Sequence, residues 1–209
     1  MSSYVPRTTR TELQPGGAAN AYYWVDTNNP YAVFDPALNT YDLCIPNCTC
    51  YCFGRALEMG SPAPHSTSSR HNALAWHANL INGWTAIPYN VADLEPGDIV
   101  EWSVNGNHVA TVEEIISGVP WVSQSFYRDT SGGYGYRDYT ICGSTQTSVW
   151  NWFLANYPDA VFNYNTVYYA YGPNNLPDYI LKNPKSFNDG NFKFLITNKG
   201  SKKRRKIYV

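Results

Sequence analysis

Cys48 follows Pro46-Asn47, a pair that reads as the start of a helix with Asn47 as its N-cap. Orphan N–H groups and the helix dipole at such a position favour negative charge, and thiolate rather than thiol is the reactive form of cysteine. A nucleophile of this kind needs a base. The histidines stand at 65, 71, 77 and 108. The first three lie in or beside a region that reads as helical, where surface or packing roles are the simplest reading. His108 instead opens a strand directly after Asn105-Gly106, a place from which a side chain projects from a sheet end toward a helix N-terminus. With five cysteines and four histidines, Cys48–His108 is one pair among twenty, so spacing alone does not single it out.

The other cysteines constrain the chemistry. Cys44, Cys48, Cys50 and Cys52 crowd into nine residues and Cys142 stands apart; the odd total argues against a complete disulfide framework. The spacing C-x3-C-x-C-x-C is a poor match to structural zinc, which wants paired thiols separated by a longer span. No metal and no cofactor are expected.

The elements that must hold these groups follow from periodicity. A helix is expected from Cys48, with an apolar stripe of Phe53, Ala56 and Leu57, an Arg55–Glu58 pair at i,i+3, and Gly60 followed by Pro62 as its stop. A second helix is expected from about Arg70 to Asn82, with Ala73, Trp76, His77, Leu80 and Ile81 on one side and Asn82-Gly83 closing it. The period then changes to two. Pro96-Gly97-Asp98 turns into a strand at Ile99–Trp102, another runs from His108 to Glu113, and Ser117-Gly118 leads to one around Trp121–Tyr127. Further strands are expected at Tyr134–Cys142 and Val167–Tyr171, with a helical or loop insert at Trp150–Tyr157. Helices first and an antiparallel sheet after them make an α+β domain.

Composition sets the class. The chain has 209 residues, 44% hydrophobic, enough for one full core with tails. Aromatic residues reach 16%, including 18 Tyr and 7 Trp, more than a core needs. Such rings suit surfaces that stack on sugars or partners, although a Tyr-rich β-protein without a ligand would look the same. The net charge is −1, but Lys199, Lys202, Lys203, Arg204, Arg205 and Lys206 gather in the last eleven residues, leaving nine basic against sixteen acidic side chains before them. A basic tail on an acidic body suits an anionic polymer such as teichoic acid, or simple solubilisation; nucleic-acid binding is not assigned from it. No run of 18 apolar residues predicts a membrane span, and no apolar stretch follows Arg7 and Arg10 to suggest a signal peptide.

The run Asn47-Cys48-Thr49-Cys50-Tyr51-Cys52-Phe53-Gly54-Arg55-Ala56-Leu57-Glu58 resembles the nucleophile helix of CHAP domains (cysteine, histidine-dependent amidohydrolases/peptidases), which often reads N-C-T-x-Y-x-x-G-R-x-x-E. Pro96-Gly97-Asp98-Ile99-Val100-Glu101-Trp102, followed by Asn107-His108-Val109-Ala110-Thr111-Val112-Glu113, resembles that family's P-G-D/A-I-x-x-W and G-H-V-A-x-V-E segment. The two motifs stand in the family's order. The resemblance is close over residues 40–127 and loose over 128–180. It implies a papain-like α+β fold with N-terminal helices on a central antiparallel sheet, and three regions: an irregular lead-in at 1–35, a catalytic domain at 36–182 and a basic tail at 183–209.

The resemblance also implies roles. Cys48 would attack a peptide carbonyl, and His108 would take its proton and later pass it to the leaving amine. The family commonly orients this histidine with a Glu, Asn or Gln in an S-E-x-N segment. Here the segment reads Ser123-Gln124-Ser125-Phe126, so Gln124 replaces the usual Glu and Phe126 the Asn. Glu113 or Glu114 could serve instead. The Cys48 N–H with Tyr41 or Asn47 would stabilise the oxyanion, and Trp102 would lie near the cleft, which makes Tyr41, Asn47 and Trp102 the candidate substrate-binding residues. Some members bind calcium through Asp residues ahead of the nucleophile, but Asp42 is the only acid between 36 and 57, which is thin for that ion. The expected function is hydrolysis of amide bonds in bacterial peptidoglycan, as an N-acetylmuramoyl-L-alanine amidase or a stem-peptide or cross-bridge endopeptidase. A phage endolysin or virion-associated lysin, made in the host cytoplasm and acting on the wall, is the expected setting. The alternative is a non-catalytic phage structural or wall-binding module that keeps the fold.

Overall fold

A computed structural model of the chain describes residues 4–7, 20–23, 28–31, 34–35, 40–41, 48–68, 71–104, 106–125, 163–166, 174–185 and 187. The elements run α1 (Asn20–Tyr23), β1 (Phe34–Asp35), β2 (Thr40–Tyr41), α2 (Cys48–Glu58), β3 (Thr85–Pro88), β4 (Ile99–Trp102), β5 (His108–Ile116), β6 (Val119–Gln124), β7 (Asn163–Thr166) and β8 (Tyr179–Lys182). β1 and β2 form a small antiparallel pair. The other six strands make one antiparallel sheet in the order β3-β8-β4-β5-β6-β7. This is the α+β arrangement that the change of period predicts.

The two faces of the central strands are buried against different things. Val109 belongs to a cluster with Cys48, Tyr51, Cys52, Phe53 and Trp76, so α2 covers that face. Ala110 and Val112 join Val100, Trp102, Val122 and Ile180 on the other. A residue of β5 therefore declares its face by its parity. Each fully buried large apolar side chain contributes roughly 1.5–3 kcal/mol. The β5–β6 turn is made by Ser117 (φ 53°) and Gly118 (φ 78°), the two left-handed residues that a tight right-twisted hairpin requires.

α2 ends as its sequence dictates. Gly60 takes φ 72°, its N–H donates to the Leu57 carbonyl and the Ser61 N–H to the Ala56 carbonyl, which satisfies the carbonyls of the last turn. Gly54 has a different job. A Cβ there would fall 2.6 Å from the Tyr23 ring and 2.7 Å from the Tyr22 carbonyl, so α1 is seated directly on the α2 backbone. Gly54→Ala is expected to cost about 1–3 kcal/mol by overpacking, because one of the clashing atoms is backbone and cannot rotate away. Chemical denaturation reads this directly, and a midpoint equal to the native protein's would contradict the seating.

The helix expected from about Arg70 to Asn82 does not form in its described part. Ala73–Ala75 is a single 3-10 turn, followed by bends. The N–H groups of Ala75 and Asn79 reach carbonyls three residues back, and that of His77 goes to the Glu101 carboxylate instead of to its own segment. Trp76 and Ala73 are buried as the periodicity requires, but Ile81 remains exposed. A buried acceptor from the sheet outcompeted the helical ladder. The strand expected around Trp121–Tyr127 runs instead from Val119 to Gln124, and β3 and β8 had no place in the periodic reading. The features expected at Tyr134–Cys142, Trp150–Tyr157 and Val167–Tyr171 lie outside the described residues, as does the basic cluster at 199–206. Beyond β8 the chain still packs: Asn183 Nδ2 donates to the Gly97 carbonyl and Ser61 Oγ, and Lys185 Nζ to the Met59 carbonyl.

Candidate active site

α2 runs parallel to β5, and this alignment decides what meets at its first residue. Tyr51 Oη donates to Ser123 Oγ at 2.6 Å, and Ser123 pairs with Thr111. One turn later Arg55 donates from Nε and Nη2 to the two carboxylate oxygens of Glu113, at 2.9 and 2.8 Å. Three residues back from Tyr51, about 4.5 Å along the helix, the same line reaches the level of Val109 and Ala110, since a strand residue spans about 3.3 Å. Cys48 and Val109 accordingly share one cluster. The start of α2 and the start of β5 lie at one end of the domain.

Cys48, the first residue of α2, is 8% exposed, and no acidic side chain lies in the helix's first turn to oppose a thiolate. Its neighbours differ. Burial pushes the Cys50 and Cys52 thiols well above the ordinary cysteine range, and Cys50 Sγ reaches the Tyr23 carbonyl at 3.5 Å. Those two are packing residues. Cys44 and Cys142 lie outside the described residues.

His108 opens β5, opposite Trp102, with ring centroids 5.6 Å apart. Its Nε2 and Gln124 Oε1 are 2.8 Å apart. An amide oxygen only accepts, so Nε2 carries the proton and Nδ1 the lone pair. Burial pushes the imidazole down to about 4, with the Gln124 contact opposing, so the ring is neutral at pH 7. This is the contact expected between these two residues. Glu113, the other carboxylate considered for this role, faces α2 and is held by Arg55; Glu114 pairs across to Trp121. Gln124 Nε2 is buried with no partner among the described residues. Gln124→Glu removes that orphaned donor and sets a carboxylate against the ring. The expected result is retained or raised activity, with the His108 titration moved upward from about 4 when followed by NMR; an unmoved titration would show that residue 124 does not govern the ring.

The remaining candidates fall out unevenly. Trp102, expected among the substrate-binding residues, is instead fully buried beside His108, and its indole N–H donates to the Asn175 carbonyl. It shields the imidazole from water. Tyr41 lies in β2, where only its backbone pairing is described; Asn47 and Asp42 lie outside the described residues. Two groups escaped the sequence reading. One is the buried assembly in which Glu113 takes Arg55, Ser123 Oγ, Tyr4 Oη at 2.7 Å and the Arg7 N–H at 2.9 Å. The other is His77, whose Nδ1 lies 2.9 Å from Glu101 Oε1. Neither has a local signal, since the partners are 10 to 109 residues apart.

Comparison with known families matches residues 36–125 to the CHAP domain. That span holds α2, the β4–β5 hairpin and Gln124. Neither the curated proteins nor the solved structures gave a match to the chain.

Proposed function

We propose that the chain is a peptidoglycan hydrolase that cuts an amide bond through a cysteine–histidine mechanism on a papain-like fold. The observation that carries this reading is the His108–Gln124 hydrogen bond at the sheet end where α2 begins, within the span matched to the CHAP domain. Cys48 attacks the scissile carbonyl while its proton passes to His108 Nδ1, the nitrogen that the Gln124 contact leaves basic. The C–N bond breaks, the amine leaves protonated, and a thioester remains on Cys48. Water then adds to the thioester, a base of the site takes its proton, the S–C bond breaks, and the thiol is restored. The Cys48 N–H at the start of α2 is one oxyanion donor.

His108 shares the Trp102 face of the sheet and α2 covers the other, so this mechanism requires thiol and imidazole to meet around the open end of β5 rather than across its surface. The bond cleaved is that of an N-acetylmuramoyl-L-alanine amidase or of a stem-peptide or cross-bridge endopeptidase, in a phage lysin whose basic tail contacts anionic wall polymers. Mass spectrometry of purified peptidoglycan treated with native protein or Cys48→Ala tests the reading, because freed termini name the bond. New termini with the native protein alone support it; identical digests would leave a non-catalytic wall-binding module.

A further inference from the structure

A second imidazole with its own carboxylate stands at the same end of the domain. Glu101 is fully buried, and one of its oxygens lies 2.9 Å from His77 Nδ1 while the other accepts the His77 backbone N–H at 2.8 Å. The Tyr179 ring stacks on the imidazole at 4.2 Å and 11°. Two contacts thus fix the ring and a third its backbone, although the side chain is still 28% exposed. With Nδ1 committed to Glu101, Nε2 is the nitrogen left for another partner. A buried carboxylate orienting an accessible imidazole is the arrangement that acid–base catalysis uses.

Its position joins it to Cys48. Glu101 pairs across to Val109 on one side and to Tyr179 on the other. Val109 lies in the same cluster as Cys48 and Trp76, the residue before His77. His77 and Glu101 are therefore on the face that α2 covers, whereas His108 is on the opposite one. Burial pushes the Glu101 carboxyl above its usual range and the His77 contacts pull it back, so a cationic ring relieves the buried charge.

We propose that His77, oriented by Glu101, is a second acid–base group of this site and protonates the departing amine. The inference rests on the proposed hydrolase reading. In acylation the S–C bond forms, the thiol proton goes to His108, the C–N bond breaks, and the His77 Nε2 proton goes to the nitrogen. In deacylation water adds to the thioester, its proton returns to His77, the S–C bond breaks, and His108 returns its proton to the sulfur. Both residues end as they began.

A general acid matters for a poor leaving group and little for a good one, which sets the test. Native protein, His77→Gln and His108→Ala are compared on purified peptidoglycan, on the p-nitrophenyl ester of N-acetylalanine, and in iodoacetamide alkylation of Cys48, with folding checked by thermal unfolding. His77→Gln is expected to lose about a hundredfold in kcat on peptidoglycan, with the p-nitrophenol burst on the ester, which reports acylation alone, and alkylation within about twofold of native. Glu101→Gln should follow the same pattern; if it fails to fold, His77→Gln decides alone. Equal losses on the amide and in the ester burst, slowed alkylation, or full activity in His77→Gln would each overturn the assignment. Native protein inactive on peptidoglycan would instead remove the hydrolase reading and this inference with it.

Discussion

Cys48→Ser is expected to reduce turnover on peptidoglycan by about four orders of magnitude or more, while unfolding free energy stays within about 1–2 kcal/mol of the native protein. A serine hydroxyl is far less acidic than a thiol, and the base here has only a neutral amide behind it, with Gln124 Oε1 at 2.8 Å. Gln124 fixes the tautomer but gives imidazolium less support than a carboxylate would. The structural cost is small because sulfur and oxygen differ little in volume and the site is at the mouth of α2. Cys50→Ser and Cys52→Ser should behave in reverse, since both thiols are fully buried in the core: lower stability, preserved turnover. Release of labelled wall fragments and thermal unfolding, measured together, check all three. Turnover by Cys48→Ser at the native rate would end the case for a thiol nucleophile.

The second large effect is on stability. Arg55→Met is expected to cost about 3–5 kcal/mol near neutral pH, because it strips the cation from a carboxylate that has no exposure to water. Tyr4, Arg7 and Ser123 would still donate to Glu113, but Arg55 supplies two of its hydrogen bonds and the nearest positive charge. A loss below about 1 kcal/mol, read from denaturation curves at neutral pH, would refute the pairing as a stabilising contact.

Much of this molecule was legible before any coordinates. The 3.6-residue pattern and the Gly60 stop gave α2, alternation gave β4 and β5, and Asn47-Cys48-Thr49 with Asn107-His108-Val109 gave the candidate pair, because each is encoded within a few neighbouring residues. Gln124 followed from its motif position. What the chain does between 71 and 82 was not legible. Its helical pattern is real, but the His77 N–H is taken by Glu101, a partner 24 residues away, and local propensity is too weak to resist a buried carboxylate.

Sequence by itself determined which side chains have the chemistry: a thiol at a helix start, an imidazole at a strand start, and an amide in place of an acid. Tertiary structure alone decided their environment. Burial took the His108 ring down to about 4, parity set it on the Trp102 face, and the sheet put Glu101 beneath His77. The division is physical. Residue type and short-range periodicity are local properties of the chain, whereas desolvation and pairing exist only once segments distant in sequence have closed over one another.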